Sequence, residues 1–174
     1  MDHFKYIGSK LHCEDLPIEE IAKTQEAAFY CYSKATLTRH YKVFDAALNL
    51  PKTLICFAVK ASSNINILRI LGELGAGADV VSRGEIIRAQ RAGIKENKII
   101  FSGVGKTAAE IEYAIDNNIL QINAESLEEI EIINQIAKSK NKKANIGLRI
   151  NPDVAADTHD KISTGKKGDK FGID

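Results

Sequence analysis

Short apolar runs recur about every two dozen residues along the chain, and this spacing constrains the fold more than any other feature. The runs start near residues 53, 78, 98, 119 and 145, and longer amphipathic segments separate them. Buried strands that alternate with helices are typical of β/α units whose strands run parallel. The sequence therefore predicts an α/β fold.

The length of each unit is close to that in a (β/α)8 TIM barrel, which needs about 250 residues. A chain of 174 residues has room for about five of the eight units. We therefore expect a partial (β/α)8 barrel on an open sheet, because an eight-stranded barrel closes only with all its strands. The predicted strands span 29–32, 53–59, 78–81, 98–101, 119–123 and 145–150.

Apolar residues at helical spacing fill the segments between these strands. They predict helices over 34–48, 107–117 and 126–137, and another that ends at Gly75. A further helix is expected to begin after Ser82, because Glu85 lies three residues later and the two could form a capping box.

Charge and hydropathy argue against two classes of partner. Lys and Arg number 24 against 23 Asp and Glu, so the net charge is +1 and creates no field that attracts nucleic acid. No stretch approaches the roughly 18 apolar residues of a membrane span, and the first residues lack the apolar core of a signal peptide. We expect a cytoplasmic protein without nucleic-acid or membrane partners.

The cysteines and histidines indicate neither a disulfide framework nor a metal site. Cys13, Cys31 and Cys56 are odd in number and widely spaced, and the histidines near the N-terminus are scattered. No pair of them has the spacing of zinc ligands. We expect three reduced thiols, with Cys56 in the core.

Polar residues stand at or after the ends of the apolar runs. In parallel β/α folds the binding site lies at the carboxyl ends of the strands, so these residues should converge on one face. They are Lys60, Asp79, Ser102, Asn123, Glu125 and Arg149.

Lys60 ends an apolar strand and has two interpretations. Desolvation would favour its neutral amine, which is the nucleophile that a Schiff-base lysine requires. Most lysines at strand ends instead extend their amine into solvent. Position alone favours the second interpretation.

Asp79, Arg149 and His159 also have structural alternatives. Asp79 could orient Lys60 or hold a proton, or it could be an ordinary turn or helix-capping aspartate. Arg149 lies between two apolar residues. A fixed charge there needs a partner or an anion, so we favour a functional role for Arg149 over a structural one. His159 lies in a polar loop and is expected to be solvated.

The segment from Ser102 to Thr107 contains Gly-Lys-Thr at a predicted helix start, as a phosphate-binding loop does. That pattern also needs a glycine five positions before Gly105, and the residue there is Ile100. We therefore discount a nucleotide site and expect Gly103 and Gly105 to form a turn that lines the cleft.

Several segments together resemble the pyridoxal-phosphate-dependent decarboxylases of the alanine racemase-like fold. The segment 57–62, FAVKAS, resembles the lysine motif of the family, and 75–85 and 100–106 resemble its next two blocks in the expected order. Segments 149–153, 159–165 and 170–173 are particularly similar to the diaminopimelate decarboxylases. The resemblance covers residues 27 to 174.

This resemblance implies that Lys60 forms the Schiff base with pyridoxal 5'-phosphate, and that Asp79 and Arg149 lie near that cofactor. It implies decarboxylation of meso-2,6-diaminopimelate to L-lysine, the last step of lysine biosynthesis. It also implies a homodimer with active sites between subunits. Residues 1–28 then belong near the family's β-domain, and 29–174 form the partial pyridoxal-binding barrel.

The chain departs from the family at Ser62 and Arg83, which removes no catalytic group, and most of all in length. Family members run to about 400 residues, with three more barrel units and a C-terminal β-domain that this sequence lacks. We therefore expect the 174 residues alone to be inactive and to self-associate through the open sheet.

Three other functions stay open at this point. One is a decarboxylase of the same fold that acts on arginine, ornithine or carboxynorspermidine. The second is a non-catalytic pyridoxal-phosphate-binding protein, and the third is a structural or self-assembling remnant.

Overall fold

A computed structural model describes residues 2–48, 50–154 and 172–173. The chain divides into two compact units, Met1–Thr53 and Leu54–Asp174. None of the helices in the described part of the chain is long and apolar enough to cross a membrane.

The first unit combines a small antiparallel sheet with two helices. The strands β1, β2 and β3 pair in chain order, and Gly8 makes the turn between the first two with a φ of +61°. Glu14 then anchors the start of the second helix, because its Oε1 accepts hydrogen bonds from the Ala35 amide and the Ser33 hydroxyl, both at 2.8 Å. The elements are β1 (Phe4–Ile7), β2 (Lys10–Cys13), β3 (Leu16–Pro17), α1 (Ile18–Ala22) and α2 (Lys34–Leu48).

The second unit is a five-stranded parallel sheet in which each strand pairs with the next one along the chain. Helices connect the strands from β4 to β8, as the predicted α/β fold requires. The strands are β4 (Cys56–Ala58), β5 (Gly77–Val80), β6 (Ile99–Phe101), β7 (Gln121–Ala124) and β8 (Ile146–Leu148). The helices are α3 (Ile65–Glu73), α4 (Arg83–Arg91), α5 (Ala108–Asp116) and α6 (Leu127–Ser139).

One face of this sheet forms the hydrophobic core. Val80, Phe101 and Ile122 lie side by side in adjacent strands and are almost fully buried. They pack with apolar side chains of the helices, such as Leu68 and Ile86. Burial of each such side chain stabilises the fold by about 1.5–3 kcal/mol.

Side chains alternate between the two faces of a strand, so the other face carries a different set of residues. Ala58, Asp79, Ile100 and Gln121 form one row across four strands of that face. We call this the polar face, because most of the polar residues that end the strands belong to it.

Side-chain caps begin the helices of the second unit. Asn64, Ser82, Thr107 and Ser126 each accept a hydrogen bond from a backbone amide of the first turn. The cap at Ser82 is confirmed, but the capping box predicted there is wrong. The Glu85 carboxylate accepts from the Val81 amide at 2.8 Å instead of the Ser82 amide. Among the described helices, the reciprocal box is formed at α5.

The strand predicted over 29–32 is also wrong. No described strand pairs with this segment, and Tyr30 is 91% exposed. Aromatic residues favour strands only where a neighbouring strand and a packed face are present. The prediction that Cys56 lies in the core is wrong as well. Cys56 is half-buried on the polar face that it shares with Ala58, and Cys13 is the buried cysteine.

Candidate functional site

Lys60 lies where β4 leaves the sheet, in a short 3-10 turn that spans Val59–Ala61. The fully buried Val59 holds this turn against the core, whereas Lys60 is exposed. Its amine makes no hydrogen bond or ion pair with any described residue. Lys60 therefore presents an accessible primary amine at the carboxyl end of the strand.

Asp79 lies one strand away, in register with Ala58 of β4. Its Oδ1 is buried and has no hydrogen-bond partner among the described residues. An unsatisfied buried polar atom costs about 1–3 kcal/mol, so such an atom needs an explanation. Burial raises the pKa of the neighbouring Cys56 thiol, and the Asp79 carboxylate raises it further.

No hydrogen bond or ion pair links Asp79 to Lys60. The structure therefore shows no direct contact in support of the prediction that Asp79 orients Lys60. The two residues instead offer separate groups, a free amine and an unpaired carboxylate oxygen, at neighbouring strands of the polar face.

Arg149 follows β8 and has the charged partner that its apolar surroundings predict. Its Nη1 donates to Glu125 Oε2 at 2.9 Å and to Oε1 at 3.2 Å. The Glu125 side chain is only 11% exposed, so the pair is more strongly coupled than a surface ion pair. The Arg149 amide also donates to the Ala124 carbonyl at 3.0 Å, which fixes the backbone of this residue beside β7.

A chain of amide and hydroxyl groups crosses the polar face between β6 and β7. Gln121 Nε2 donates to Asn123 Oδ1 at 2.7 Å, and Asn123 Nδ2 donates to Ser102 Oγ at 2.9 Å. Gly147 of β8 pairs with Asn123, and a Cβ at this glycine would lie 2.6 Å from Asn123 Oδ1. Because Gly147 has no side chain, the amide groups of Gln121 and Asn123 have room beside it.

The glycine-lysine segment after β6 serves the fold and does not offer its lysine to a ligand. A Cβ on Gly103 would lie 2.3 Å from the Val81 carbonyl oxygen, so only glycine fits this close approach. The Lys106 side chain is fully buried, and its Nζ donates to the Asn123 carbonyl at 2.6 Å. It also forms an ion pair with Glu129, at 3.1 Å to Oε1.

Among the predicted residues, the structure joins Ser102 to Asn123 and Glu125 to Arg149 by direct contacts. Lys60 and Asp79 take no part in these contacts. Sequence reasoning missed Gln121, Lys106 and Glu129. The signal for Glu129 was present, since it lies three residues after Ser126 in the pattern of a helix start.

His159 lies outside the described residues, as do the segments 159–165 and 170–171. Within the part of the chain that is described, no three His, Cys, Asp or Glu side chains form a group that could hold a metal ion.

Comparison with known proteins identifies relatives for this arrangement. The family profile described as "Pyridoxal-dependent decarboxylase, pyridoxal binding domain" matches residues 34–174. The diaminopimelate decarboxylase of Haemophilus influenzae is 47% identical over 173 residues, which cover 99% of this chain.

Two solved structures extend the likeness to the fold. The diaminopimelate decarboxylase of Helicobacter pylori, complexed with L-lysine, superposes with a TM-score of 0.84 and 48% identity over 89% of this chain. The enzyme from M. jannaschii, in a co-complex with L-lysine, gives a TM-score of 0.85 and 34% identity over 98% of this chain.

The chain spans only part of each of these relatives. It covers 42% of the Haemophilus protein, 39% of the Helicobacter chain and 41% of the M. jannaschii chain. The similarity therefore covers most of this chain but less than half of each relative.

Proposed function

The chain belongs to the pyridoxal-dependent decarboxylases, and from this we propose that it supplies the pyridoxal-phosphate site of an enzyme that decarboxylates meso-2,6-diaminopimelate to L-lysine. The observation that carries the proposal is the free amine of Lys60 at the carboxyl end of β4, one strand from the unpaired Oδ1 of Asp79.

The residues present fit pyridoxal 5'-phosphate. A primary amine without a protein partner is the group that condenses with an aldehyde. A buried carboxylate oxygen without a donor requires one, and a protonated heteroatom can provide it. Arg149 adds a positive charge that is already oriented by Glu125, and arginine is well suited to bind anionic groups.

We assign Lys60 as the residue that holds the cofactor covalently, with Asp79 and Arg149 as cofactor-binding residues. When bound, this cofactor accepts the electron pair that remains after carbon dioxide departs. The protein would fix the orientation of the reacting groups, with Lys60 holding the cofactor covalently and Asp79 able to accept a hydrogen bond through Oδ1. The Glu125 carboxylate keeps the guanidinium of Arg149 at the edge of the polar face.

The relatives support the proposed substrate. Diaminopimelate decarboxylases are similar to this chain along nearly its whole length, and two of the solved structures contain L-lysine. L-lysine is the product expected when meso-2,6-diaminopimelate loses one carboxyl group, which supports the same reaction for the protein that carries this chain.

The first experiment is a carbon dioxide release assay on the full protein loaded with pyridoxal phosphate. We expect turnover of meso-diaminopimelate, and loss of at least about a thousandfold in kcat for Lys60→Ala, since covalent catalysis would be lost. Lys52→Ala is the matched control, because Lys52 is an exposed lysine before the same strand and should leave turnover unchanged.

Two outcomes would contradict the proposal. Turnover of arginine, ornithine or carboxynorspermidine in preference to meso-diaminopimelate would assign a different substrate to the same site. Binding of the cofactor without release of carbon dioxide from any of them would favour a non-catalytic binding protein.

We also propose the partners and domain limits that the family resemblance implies. The protein forms a homodimer, residues 1–28 associate with the family's β-domain, and 29–174 form part of the pyridoxal-binding barrel. Sedimentation of the full protein tests the first statement, since a monomer at concentrations well above those of the activity assay would contradict it.

A further inference from the structure

The buried pair of Lys106 and Glu129 has contacts beyond those that a helix cap requires. The Lys106 side chain is 0% exposed and that of Glu129 is 12% exposed. Lys106 Nζ donates to both carboxylate oxygens of Glu129, at 3.1 and 3.2 Å, and lies 5.4 Å from the centre of the Phe101 ring. A buried ammonium is retained only where such partners offset its desolvation.

Another helix of the same unit shows what the cap alone needs. At α4, Ser82 caps the Glu85 amide, and the Glu85 carboxylate accepts from the Val81 amide at 2.8 Å. At α6, Ser126 and Glu129 repeat this arrangement, with Glu129 Oε2 accepting from the Glu125 amide at 2.8 Å. The two caps differ in one respect: Glu129 also forms an ion pair with Lys106, whereas Glu85 forms no ion pair among the described residues. Lys106 is therefore additional to the cap.

The additional lysine fixes a particular piece of backbone. Its Nζ binds the carbonyl of Asn123 directly, at 2.6 Å, and holds the amide of Glu125 through Glu129. Both ends of the short segment 123–125 are thus attached to one buried amine. The side chains of this segment are the ones that bind Ser102 and Arg149 on the polar face.

We propose that Lys106 and Glu129 are positioning residues for the cofactor site, and that they act by holding Glu125 where its carboxylate orients Arg149. This inference rests on the proposed function, because it takes Arg149 to be a cofactor-binding residue. It assigns a role to the Gly-Lys-Thr segment that differs from phosphate binding, since the lysine amine is engaged by protein groups.

The test is a double-mutant cycle on the full protein, with the dissociation constant of pyridoxal phosphate as its readout. Lys106→Met removes the charge and keeps much of the apolar length of the side chain. We expect it to weaken cofactor binding by about ten- to a hundredfold, because small displacements of positioned groups have effects of that size. In a Glu125→Gln background, the same change should weaken binding by less than about twofold, because the route to Arg149 is already broken.

The matched control is Lys140→Met. Lys140 also forms ion pairs, with Glu112 and Asp116 at 2.8 Å, but it lies at the end of α6 away from the polar face. We expect wild-type cofactor affinity for this variant. If Lys106→Met does not fold, as judged by circular dichroism, Glu129→Gln replaces it in the cycle, since it keeps an oxygen acceptor for the Glu125 amide and removes the opposing charge.

The outcomes are distinguishable. Equal loss of affinity in the wild-type and Glu125→Gln backgrounds would overturn the positioning role, and so would a folded Lys106→Met or Glu129→Gln variant with wild-type affinity. In both cases the wild-type protein still binds the cofactor and the proposed function stands. Failure of the wild-type protein to bind pyridoxal phosphate would overturn the proposed function, and this inference with it.

Discussion

At the scale of single residues, the unpaired Oδ1 of Asp79 shows a conflict between stability and ligand binding. Stable folds satisfy their buried polar atoms, and the exceptions concentrate at sites that bind something else. The cofactor-free protein therefore carries an energetic cost at Asp79 that a bound ligand would relieve.

The first residue-scale prediction follows from that cost. We expect Asp79→Ala to raise the free energy of unfolding of the cofactor-free protein by about 1 kcal/mol, because an unsatisfied buried acceptor is removed. Urea denaturation measures the change. Asp116→Ala is the control, since Asp116 is paired with Lys140 at 2.8 Å and its loss should not stabilise the fold. A lower stability of Asp79→Ala than of the wild type would show that Oδ1 has a partner in solution.

A second prediction concerns Gly103, whose Cβ would collide with the Val81 carbonyl oxygen. A backbone atom cannot move aside as a flexible side chain can, so Gly103→Ala should destabilise the fold by about 1–3 kcal/mol. Gly84→Ala is the matched control, because the nearest atom to its added Cβ is 3.7 Å away and alanine favours a helix interior by about 0.5–1 kcal/mol. Equal midpoints of thermal unfolding for the two variants would exclude a steric role for Gly103.

The individual residues differ in how far the sequence predicts them. Arg149 was selected because a charge between two apolar residues of a predicted strand needs a partner or an anion, and that signal is local. For Lys60 the position alone favoured a solvated amine, and its assignment came from the family resemblance. Whether Arg149 pairs with Glu125 depends on the register of β7 and β8, which no local pattern specifies. Lys106 follows a glycine in a loop, where lysines are normally solvated, so only the three-dimensional structure shows that it is buried.

At the scale of elements, the cap of α5 links its two neighbours electrostatically. Glu110 accepts from the Thr107 amide at 3.1 Å to complete the capping box, and from the Arg83 amide at 3.0 Å in the first turn of α4. The hydrogen bond from Arg83 is the largest cause of a lowered pKa for the Glu110 carboxyl, and burial opposes it. One carboxylate thus stabilises the start of two helices.

This arrangement predicts a dependence of stability on pH. The pKa of Glu110 is lower in the folded state than its ordinary value of 4.5, so its contribution is complete above that value and is lost as the pH falls through the folded pKa. We expect the difference in unfolding free energy between wild type and Glu110→Gln to be constant near neutrality and to shrink below about pH 4.5. The control is Glu131→Gln, an exposed position in α6; a difference for Glu110→Gln that does not change with pH would contradict the assignment.

The elements of the second unit were largely predictable, whereas in the first unit the prediction was confirmed for α2 (Lys34–Leu48) and missed the other elements. Five apolar runs became five strands, because burial on the core face and β propensity favour the same conformation there. The strands β1 to β3 were missed, since they are only two to four residues long and β1 is mostly exposed. The segment 29–32 shows the opposite error, in which aromatic residues without a partner strand stay irregular.

At the scale of the whole molecule, the last described strand exposes apolar side chains on the face that the other strands bury. Ile146 and Leu148 are 40% and 57% exposed, although the residue that pairs with Ile146, Ile122, is fully within the core. Ile146 lines a groove with a volume of about 520 Å³, together with Ile130, Ile133 and Ala137 of α6. Apolar edges of this kind promote association.

We therefore predict that a chain of these 174 residues self-associates, and that Leu148→Lys weakens this association. A charge at an exposed edge strand opposes further strand pairing. Sedimentation velocity at several concentrations measures the effect, with Val43→Lys as the control, since Val43 is equally exposed but belongs to α2. A monomer at all concentrations, or equal effects of the two variants, would contradict the prediction.

The order of the strands in the sheet, which is the same as their order in the chain, bears on how the polypeptide is made. Each strand from β5 onward adds to the edge left by the strand before it, so no later segment has to insert between two earlier ones. A nascent chain that leaves the ribosome can therefore acquire its hydrogen-bonded neighbours in the order of synthesis. The Asn123 carbonyl, which accepts from Lys106, and the Glu125 amide, which donates to Glu129, are translated within a few dozen residues of those partners. The network on the polar face is complete once Arg149 emerges.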